Sequence, residues 1–459
     1  MLDEILAYKR GELARRKANL SHEALLGRCT RSRRSLAAAL RGGRPGFLLE
    51  IKFASPSAGV LREGTDLEPI LASYGRHADA VSVLTDEKLF GGSLERLAAV
   101  RARLAQPLLC KDFFLDPYQV AEARVHGADA ILLILAAIDD PTWRACDAAA
   151  RQLGMEVVTE VHDTAETARA VALGATIIGI NNRDLRTLQV RLATTAELAP
   201  RVPADRLVVA ESGITAREDI VALRPLADAF LVGSALMREA DVDGAVRRLV
   251  YGRTKVCGLT RPEHAQAAGA AGATHGGVVF AAASPRRVRL DQAAAVRRDI
   301  PLDWVGVFAD EDPEEIVAAA TALELTAVQL HGNESPATVA RVRALLPAAC
   351  AVWKAARVSD HRLPLRAETG ADRVLLDARS PGSGHAFDWS LLAGYPELGD
   401  AVLAGGLRAE NAGRAAALGA YALDVSSGVE SAPGQKDPHR LEAFFRARRR
   451  LPGRGEPPA

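Results

Sequence analysis

The sequence is short of several things, and each shortage narrows the reading. Positive charge is not in surplus: 58 basic residues stand against 57 acidic ones, a net charge of +1. Neither a nucleic acid nor a membrane surface is therefore implied as a partner. No apolar run approaches the roughly 18 residues of a membrane span. The opening MLDEILAYKRGELARRK is charged throughout and lacks the apolar core of a secretory signal. Cysteine is sparse: five residues, an odd number without metal-like pairs, which points to a reducing cytoplasm. The histidines are scattered without ligand spacing, and no Rossmann or P-loop fingerprint is present, so neither a metal nor a cofactor is expected. Lysine is the most informative scarcity. Only eight of the 58 basic residues are Lys and fifty are Arg. Arg keeps its proton near neutral pH, whereas burial tunes Lys into an acid or a base. Lys52, Lys111, Lys255 and Lys354 lie in or just after apolar, strand-like runs, while Lys9, Lys17 and Lys88 read as ordinary surface cations.

What is present is a repeat. With 459 residues the chain is too long for one ordinary core. Short apolar runs recur, each followed by a turn and an Ala/Leu/Arg-rich helical stretch. The first half gives FLLEIKF, AVSVL, PLLCKDF, AILLIL, EVVTEV, TIIGINN, RLVVAESG and AFLVGS. The second gives TKVCG, GGVVFA, WVGVFAD, AVQLHG, AVWKAA, RVLLDA, AVLAGG and YALDVSSG. Near-continuous apolar strands alternating with helices are parallel strands covered on both faces. Eight such units twice over predict an α/β protein of two tandem (β/α)8 TIM barrels, a regularity that favours barrels over a doubly wound sheet. The expected organisation is a helical extension over residues 1–46, a first barrel over 47–252 and a second over 253–459. No long linker separates them, and the expectation is a monomer with two contacting barrels.

Barrel sites lie at the C-terminal ends of the strands. Glu50 and Lys52, two apart in the first strand, point to one face. A buried charge is costly unless paired or used. Lys111, Glu160, Asn181 and Glu211-Ser212 end other strands of the first half, so lysines and glutamates converge on one mouth. Barrels often bind phosphate on the loops after strands seven and eight, through glycine N–H groups and a helix N-terminus. Those loops carry Gly213, Gly233 and Ser234 in the first half, and Gly405, Gly406, Ser427 and Gly428 in the second. Two phosphorylated small-molecule substrates are implied.

At these residues a resemblance appears. Through EIKFASPSAG, SVLTDEKLFGGS, LLCKDFF, TEVHD, GINNRDL, AESGI and LVGSALM the first half resembles indole-3-glycerol-phosphate synthases. Through KVCGLT, SPRRV, VQLHG, LLDARSPGSGHAFDW, LAGGL and LDVSSGVE the second half resembles phosphoribosylanthranilate isomerases. The pair in this order resembles the bifunctional tryptophan-biosynthesis enzymes of bacteria, with small phosphorylated anthranilate-derived substrates. The resemblance implies that the second barrel acts first, converting N-(5-phosphoribosyl)anthranilate to the open-chain aminodeoxyribulose phosphate by an Amadori rearrangement. Cys257 would be its base and Asp377 its acid, given a depressed thiol pKa and a raised carboxyl pKa. Arg286 rather than Arg287 would hold the anthranilate carboxylate with its guanidinium fork. His331 would line the pocket or make a strand-end hydrogen bond. His385 stands where many relatives carry Lys or Gln. The other cysteines (Cys29, Cys110, Cys146, Cys350) read as small buried hydrophobes.

In the first barrel the resemblance makes Lys111 the principal acid, Glu160 the residue that handles protons in ring closure and dehydration, and Glu50 an orienting carboxylate. Lys52 would contact substrate phosphate and carboxylate. Asn181, Glu211 and Ser212 would position substrate, with Ser55 and Arg183 completing the pocket and Ser57 and Phe90 in covering loops. Two rivals remain. A tandem phosphosugar isomerase of the histidine-pathway type would use an aspartate pair at strands one and five, where the second barrel offers Cys257. An inactive scaffold would have lost its charged strand ends.

Overall fold

A computed structural model describes residues 2–56, 59–63, 66–358, 363–377 and 387–455; Ser57 and His385 lie outside them. All sixteen apolar runs form strands, and they close into two separate barrels. The first contains β1 (Gly46–Ile51), β2 (Ala80–Leu84), β3 (Leu108–Lys111), β4 (Ala130–Ile134), β5 (Glu156–Val161), β6 (Ile177–Asn181), β7 (Leu207–Glu211) and β8 (Ala229–Val232). Every pairing is parallel. The ring closes where β1 meets β2, with Leu48 opposite Ala80, and β8, with Gly46 opposite Ala229. The second contains β9 (Thr254–Cys257), β10 (His275–Val279), β11 (Asp303–Phe308), β12 (Ala327–Leu330), β13 (Ala351–Arg357), β14 (Arg373–Asp377), β15 (Val402–Leu403) and β16 (Ala422–Val425). It closes with Lys255 opposite His275 and Thr254 opposite Leu423. The fold is thus two tandem (β/α)8 barrels, as the repeat predicts.

Local chemistry punctuates the repeat. Helices begin at Asp-Pro steps, where the carboxylate caps the first free N–H groups and proline fixes the first turn. Asp116 accepts from Tyr118 N at 2.9 Å, Asp312 from Glu314 N at 3.3 Å and Asp437 from His439 N at 2.8 Å. Strands covered on both faces need no polar alternation, so β1, β2, β4 and β8 are buried at every residue. The barrel interior is packed: Leu48, Leu109, Leu132, Val158, Ile177, Val209 and Leu231 share one cluster in the first barrel.

By compactness one unit runs to Val246 and takes in the stretch from Leu451, and the other is Arg247–Arg450. The expected 47–252 and 253–459 spans place the join slightly later and give the last residues to the second barrel. Within the first unit, Arg454 donates to Arg206 O at 3.0 Å and meets Asp228 Oδ2 at 3.1 Å. Ahead of the first barrel strand, residues 2–45 hold three helices, of which the longest is α1 (Leu2–Asn19). Among the described residues, no helix is long and apolar enough to cross a membrane.

Candidate active sites

The first site is a cavity of about 420 Å3 at the strand ends of the first barrel. Glu50, Lys52, Ser55, Lys111, Glu160, Asn181, Arg183, Glu211, Ser212, Gly213, Gly233 and Ser234 all line it. Every residue expected at this site that lies among the described residues is therefore brought together, Phe90 included. Glu50 and Lys52 do share a face: Lys52 Nζ lies 2.7 Å from Glu50 Oε1. They form an ion pair and they line the cavity, so the two readings of them are compatible.

At the centre sits Lys111, whose Nζ is 3.3 Å from Glu160 Oε2 and 3.2 Å from Glu211 Oε2. Burial alone would lower its pKa, but the carboxylates of Glu211, Glu160 and Glu50 outweigh burial and raise it. The ammonium form is thereby secured. Burial would raise Glu160, yet Lys111, His162 and Asn181 hold its pKa well below the usual carboxylate range. Glu211 goes the other way: its burial and the neighbouring carboxylates push it up to about 7. Lys111 pulls it down but does not overcome them. Asn181 Nδ2 donates to Glu160 Oε1 at 3.1 Å, and Asn181 Oδ1 accepts from Arg183 N at 2.9 Å. Arg183 Nη1 donates to Leu188 O at 3.0 Å.

The backbone is shaped around these groups. A Cβ at Gly233 would lie 2.4 Å from Glu50 Oε1, so the missing side chain makes room for the carboxylate. Ser212 is held in the left-handed region at φ 65°, local strain of the kind that collects at functional sites.

Several contributors were not anticipated. Leu2 and Ile5 of α1, and Arg238 just past β8, line the cavity. Lys9 is no surface cation: it is 2% exposed, with Nζ 2.7 Å from Asp86, 2.8 Å from Asp112 and 3.3 Å from Glu12. It locks α1 to the loops after β2 and β3, beside Lys111. Tyr8 OH also donates to Asp86 at 2.5 Å. His162 stands between two carboxylates, Nε2 3.2 Å from Glu160 and Nδ1 3.1 Å from Glu166. Burial lowers its pKa, but the two carboxylates prevail and lift it to about 10. The signal for His162 was its spacing, two residues after Glu160 in TEVHD. Lys9 had no local signal, because its partners lie far along the chain.

The second site belongs to the second barrel. Cys257 ends β9, packed with Val279 and Val307, and Asp377 ends β14. The expectation of a depressed thiol pKa does not hold: burial raises it, and Lys255 and Lys436, pulling it down, do not overcome burial. His331 takes the expected hydrogen-bonding role, with Nδ1 2.8 Å from Gln329 Nε2, and its Nε2 lies 3.4 Å from Asp377 Oδ2. Arg286, not the exposed Arg287, turns inward. Its Nε and Nη2 edge is taken by Glu430, at 3.0 and 2.7 Å, which leaves Nη1 outside that pairing. Lys436 Nζ meets the same carboxylate at 2.6 Å. Gly258, at φ 78°, lies under the Arg286 side chain, where a Cβ would come within 2.5 Å of Cδ.

Gly405 and Gly406 are both left-handed, at φ 82° and 63°. Ser427 opens a 3-10 turn, and a Cβ on Gly428 would strike Leu407 O. The two glycine loops therefore touch each other. Of the four other cysteines, Cys110, Cys146 and Cys350 are buried as expected, while Cys29 is half-buried, its thiol donating to Leu25 O and Ala121 O.

Separate acid–base groups at the strand ends of each ring define a tandem-barrel enzyme with two active sites. Family models agree with that division. Indole-3-glycerol phosphate synthase matches residues 2–249, and N-(5'-phosphoribosyl)anthranilate (PRA) isomerase matches residues 254–447. The tryptophan biosynthesis protein TrpCF of Yersinia pestis is 45% identical over 449 residues, covering 98% of this chain and 94% of that one. TrpCF of Vibrio cholerae is 48% identical over 420 residues, with coverage of 91% and 89%. A solved phosphoribosyl anthranilate isomerase from Thermus thermophilus is 38% identical, covers 42% of this chain and 97% of its own, and gives a TM-score of 0.39. The chain belongs to the TrpCF family of bifunctional tryptophan-biosynthesis proteins.

Proposed function

We propose a division of labour among the residues at the two sites. The chain carries a lyase, the synthase, in its first barrel and an isomerase in its second. In the isomerase, Asp377 protonates the ribose ring oxygen of N-(5-phosphoribosyl)anthranilate and opens it to a Schiff base. Cys257, as thiolate, removes the C2 proton to give the aminodeoxyribulose phosphate. A thiol buried beside Lys255 and Lys436 makes a strong base once ionised, and the two ammonium groups favour that ionisation. Arg286 holds the anthranilate carboxylate, with His331 beside Asp377.

In the synthase, the Lys111 ammonium protonates the ketone oxygen so that the aromatic carbon bearing the carboxylate attacks it. Loss of CO2 restores the ring, and Glu160, kept anionic, takes up and returns the protons of ring closure and dehydration. Water leaves and indole-3-glycerol phosphate remains. Glu50 orients the lysines, Lys52 contacts the substrate's phosphate and carboxylate, and Asn181, Glu211, Ser212, Ser55 and Arg183 position it. The phosphates bind at Gly213, Gly233 and Ser234, with Arg238 as the nearby cation, and at Gly405, Gly406, Ser427 and Gly428. We further infer a monomer in a reducing cytoplasm, a compartment in keeping with five free cysteines.

The observation that carries this reading is the Lys111 ammonium held between Glu160 and Glu211 in the cavity at the strand ends. Product analysis by mass spectrometry tests it. Given phosphoribosylanthranilate, the intact chain yields indole-3-glycerol phosphate, whereas Lys111→Ala stops at the aminodeoxyribulose phosphate. Ring closure by Lys111→Ala at the normal rate would remove Lys111 from its role.

A further inference from the structure

Five polar side chains form one connected line across the inside of the second barrel. Lys255 Nζ donates to Asp424 Oδ2 at 2.9 Å and to Gln329 Oε1 at 2.8 Å. Gln329 Nε2 lies 2.8 Å from His331 Nδ1, and His331 Nε2 lies 3.4 Å from Asp377 Oδ2. Lys255 and Gln329 are 0% and 1% exposed, so neither reaches substrate. Their order has a chemical consequence. An ammonium has only donors, so the amide must turn its oxygen, the acceptor, toward Lys255. The amide NH2 must then face His331, and the ring nitrogen it meets must accept. The proton of the neutral imidazole is left on Nε2, the nitrogen aimed at Asp377.

We propose that Gln329, oriented by Lys255, is a positioning residue of the isomerase that locks His331 as its Nε2–H tautomer and thereby fixes Asp377. The ring hydrogen is directed at Oδ2 across 3.4 Å, so the acidic proton is carried by Oδ1, and the same N–H draws in on the carboxylate left when that proton is delivered. Lys255 serves a second purpose in the same place. It sits two residues before Cys257 on the same face of β9, and both side chains pass close to Gly277, where a Cβ would lie 2.8 Å from Lys255 Cε and 3.0 Å from Cys257 Sγ. One buried ammonium thus lies beside the candidate base and, through an amide and an imidazole, orders the candidate acid. The inference rests on the assignment of Asp377 as the acid.

The test uses the full chain labelled with 15N-histidine, the His331 signal being assigned by its loss in a His331 variant. In the unmodified protein the ring spectrum shows His331 protonated at Nε2 and bare at Nδ1. In Gln329→Met that signature is lost or mixed. kcat for the consumption of phosphoribosylanthranilate falls about tenfold, a fraction of the roughly hundredfold or more that a general acid supplies, with KM little changed. A His331 protonated at Nδ1 in the unmodified protein, or a Gln329→Met protein with unchanged tautomer and unchanged kcat, overturns the proposal. Two further variants decide the matter if Gln329→Met does not fold. His331→Gln places an amide NH2 where Nε2 stood, and His331→Asn places one where Nδ1 stood, so the glutamine variant keeps more activity; equal rates overturn the proposal. Asp377→Asn separates this inference from the reading beneath it. An active Asp377→Asn removes the acid assignment itself, whereas an inactive one beside a fully active Gln329→Met removes only the role of Gln329.

Discussion

Replacing His162 by Gln should cost stability in a pH-dependent way. Both ring nitrogens face carboxylate oxygens, Glu160 at 3.2 Å and Glu166 at 3.1 Å, so both carry protons and the ring is a cation. Its pKa rises from 6.5 to about 10 in the fold. The charged ring therefore contributes its full stabilisation below pH 6.5, and that contribution fades as the pH climbs through 10. At about 1.4 kcal/mol for each tenfold change in proton affinity, the displacement sets a ceiling of about 5 kcal/mol. The Gln amide recovers part of this by hydrogen bonding, so roughly 2 to 3 kcal/mol is expected near pH 6. Paired thermal melts of the intact chain and His162→Gln from pH 6 to pH 10 measure it. The first-barrel transitions should lie roughly 6 to 10 °C apart at the acid end and converge at the alkaline end. A gap that stays constant across that range would refute the cationic bridge between Glu160 and Glu166.

Three other substitutions probe the remaining structure. Lys9→Met leaves Asp86 and Asp112 buried without their cation, which should cost about 3 to 5 kcal/mol in denaturant unfolding of the first barrel; a loss below 1 kcal/mol would mean that α1 is held by its apolar face alone. Glu430→Gln loosens Arg286 and removes the carboxylate partner of Lys436, so KM of the isomerase should rise about tenfold, or about 1.4 kcal/mol of binding, more than kcat falls. Gly233→Ala drives a methyl group against Glu50, and synthase turnover should drop well beyond what its roughly 1 to 3 kcal/mol of overpacking explains; an unaffected synthase would show that Glu50 is free to move aside.

The strands were legible because a barrel strand is covered on both faces and writes a continuous apolar run. Even β15, only Val402–Leu403, showed through because AVLAGG ends in the glycines of its loop. The site was legible because barrel geometry sends strand ends to one mouth, so polar endings such as Lys111 and Glu211 had only one place to meet. What stayed hidden depends on partners distant in sequence. Lys9 sits in a helix crowded with charge and looks solvated until Asp86 and Asp112 arrive from other loops. The environment of Cys257 was misjudged because burial, not the neighbouring cations, dominates its thiol. Arg286 looked like a free fork because Glu430, which takes one edge of it, is 144 residues away. The role of Gln329 depends on the direction of one amide, which only its contact with Lys255 fixes.

The first cavity also has a consequence for how its ring is divided. Glu50, Lys52 and Lys111 come from the half-barrel β1–β4, and Glu160 and Glu211 from the half-barrel β5–β8. Taken apart, one half presents Lys111 without Glu160 and Glu211, and the other presents those two buried carboxylates without Lys111. Each half alone would hold its charges toward water, and only in the complete ring do Lys111 and its two carboxylates come within 3.3 Å. Closing the barrel is therefore also the step that gives Glu160 and Glu211 their lysine, so catalytic charge and ring closure favour the same joined state.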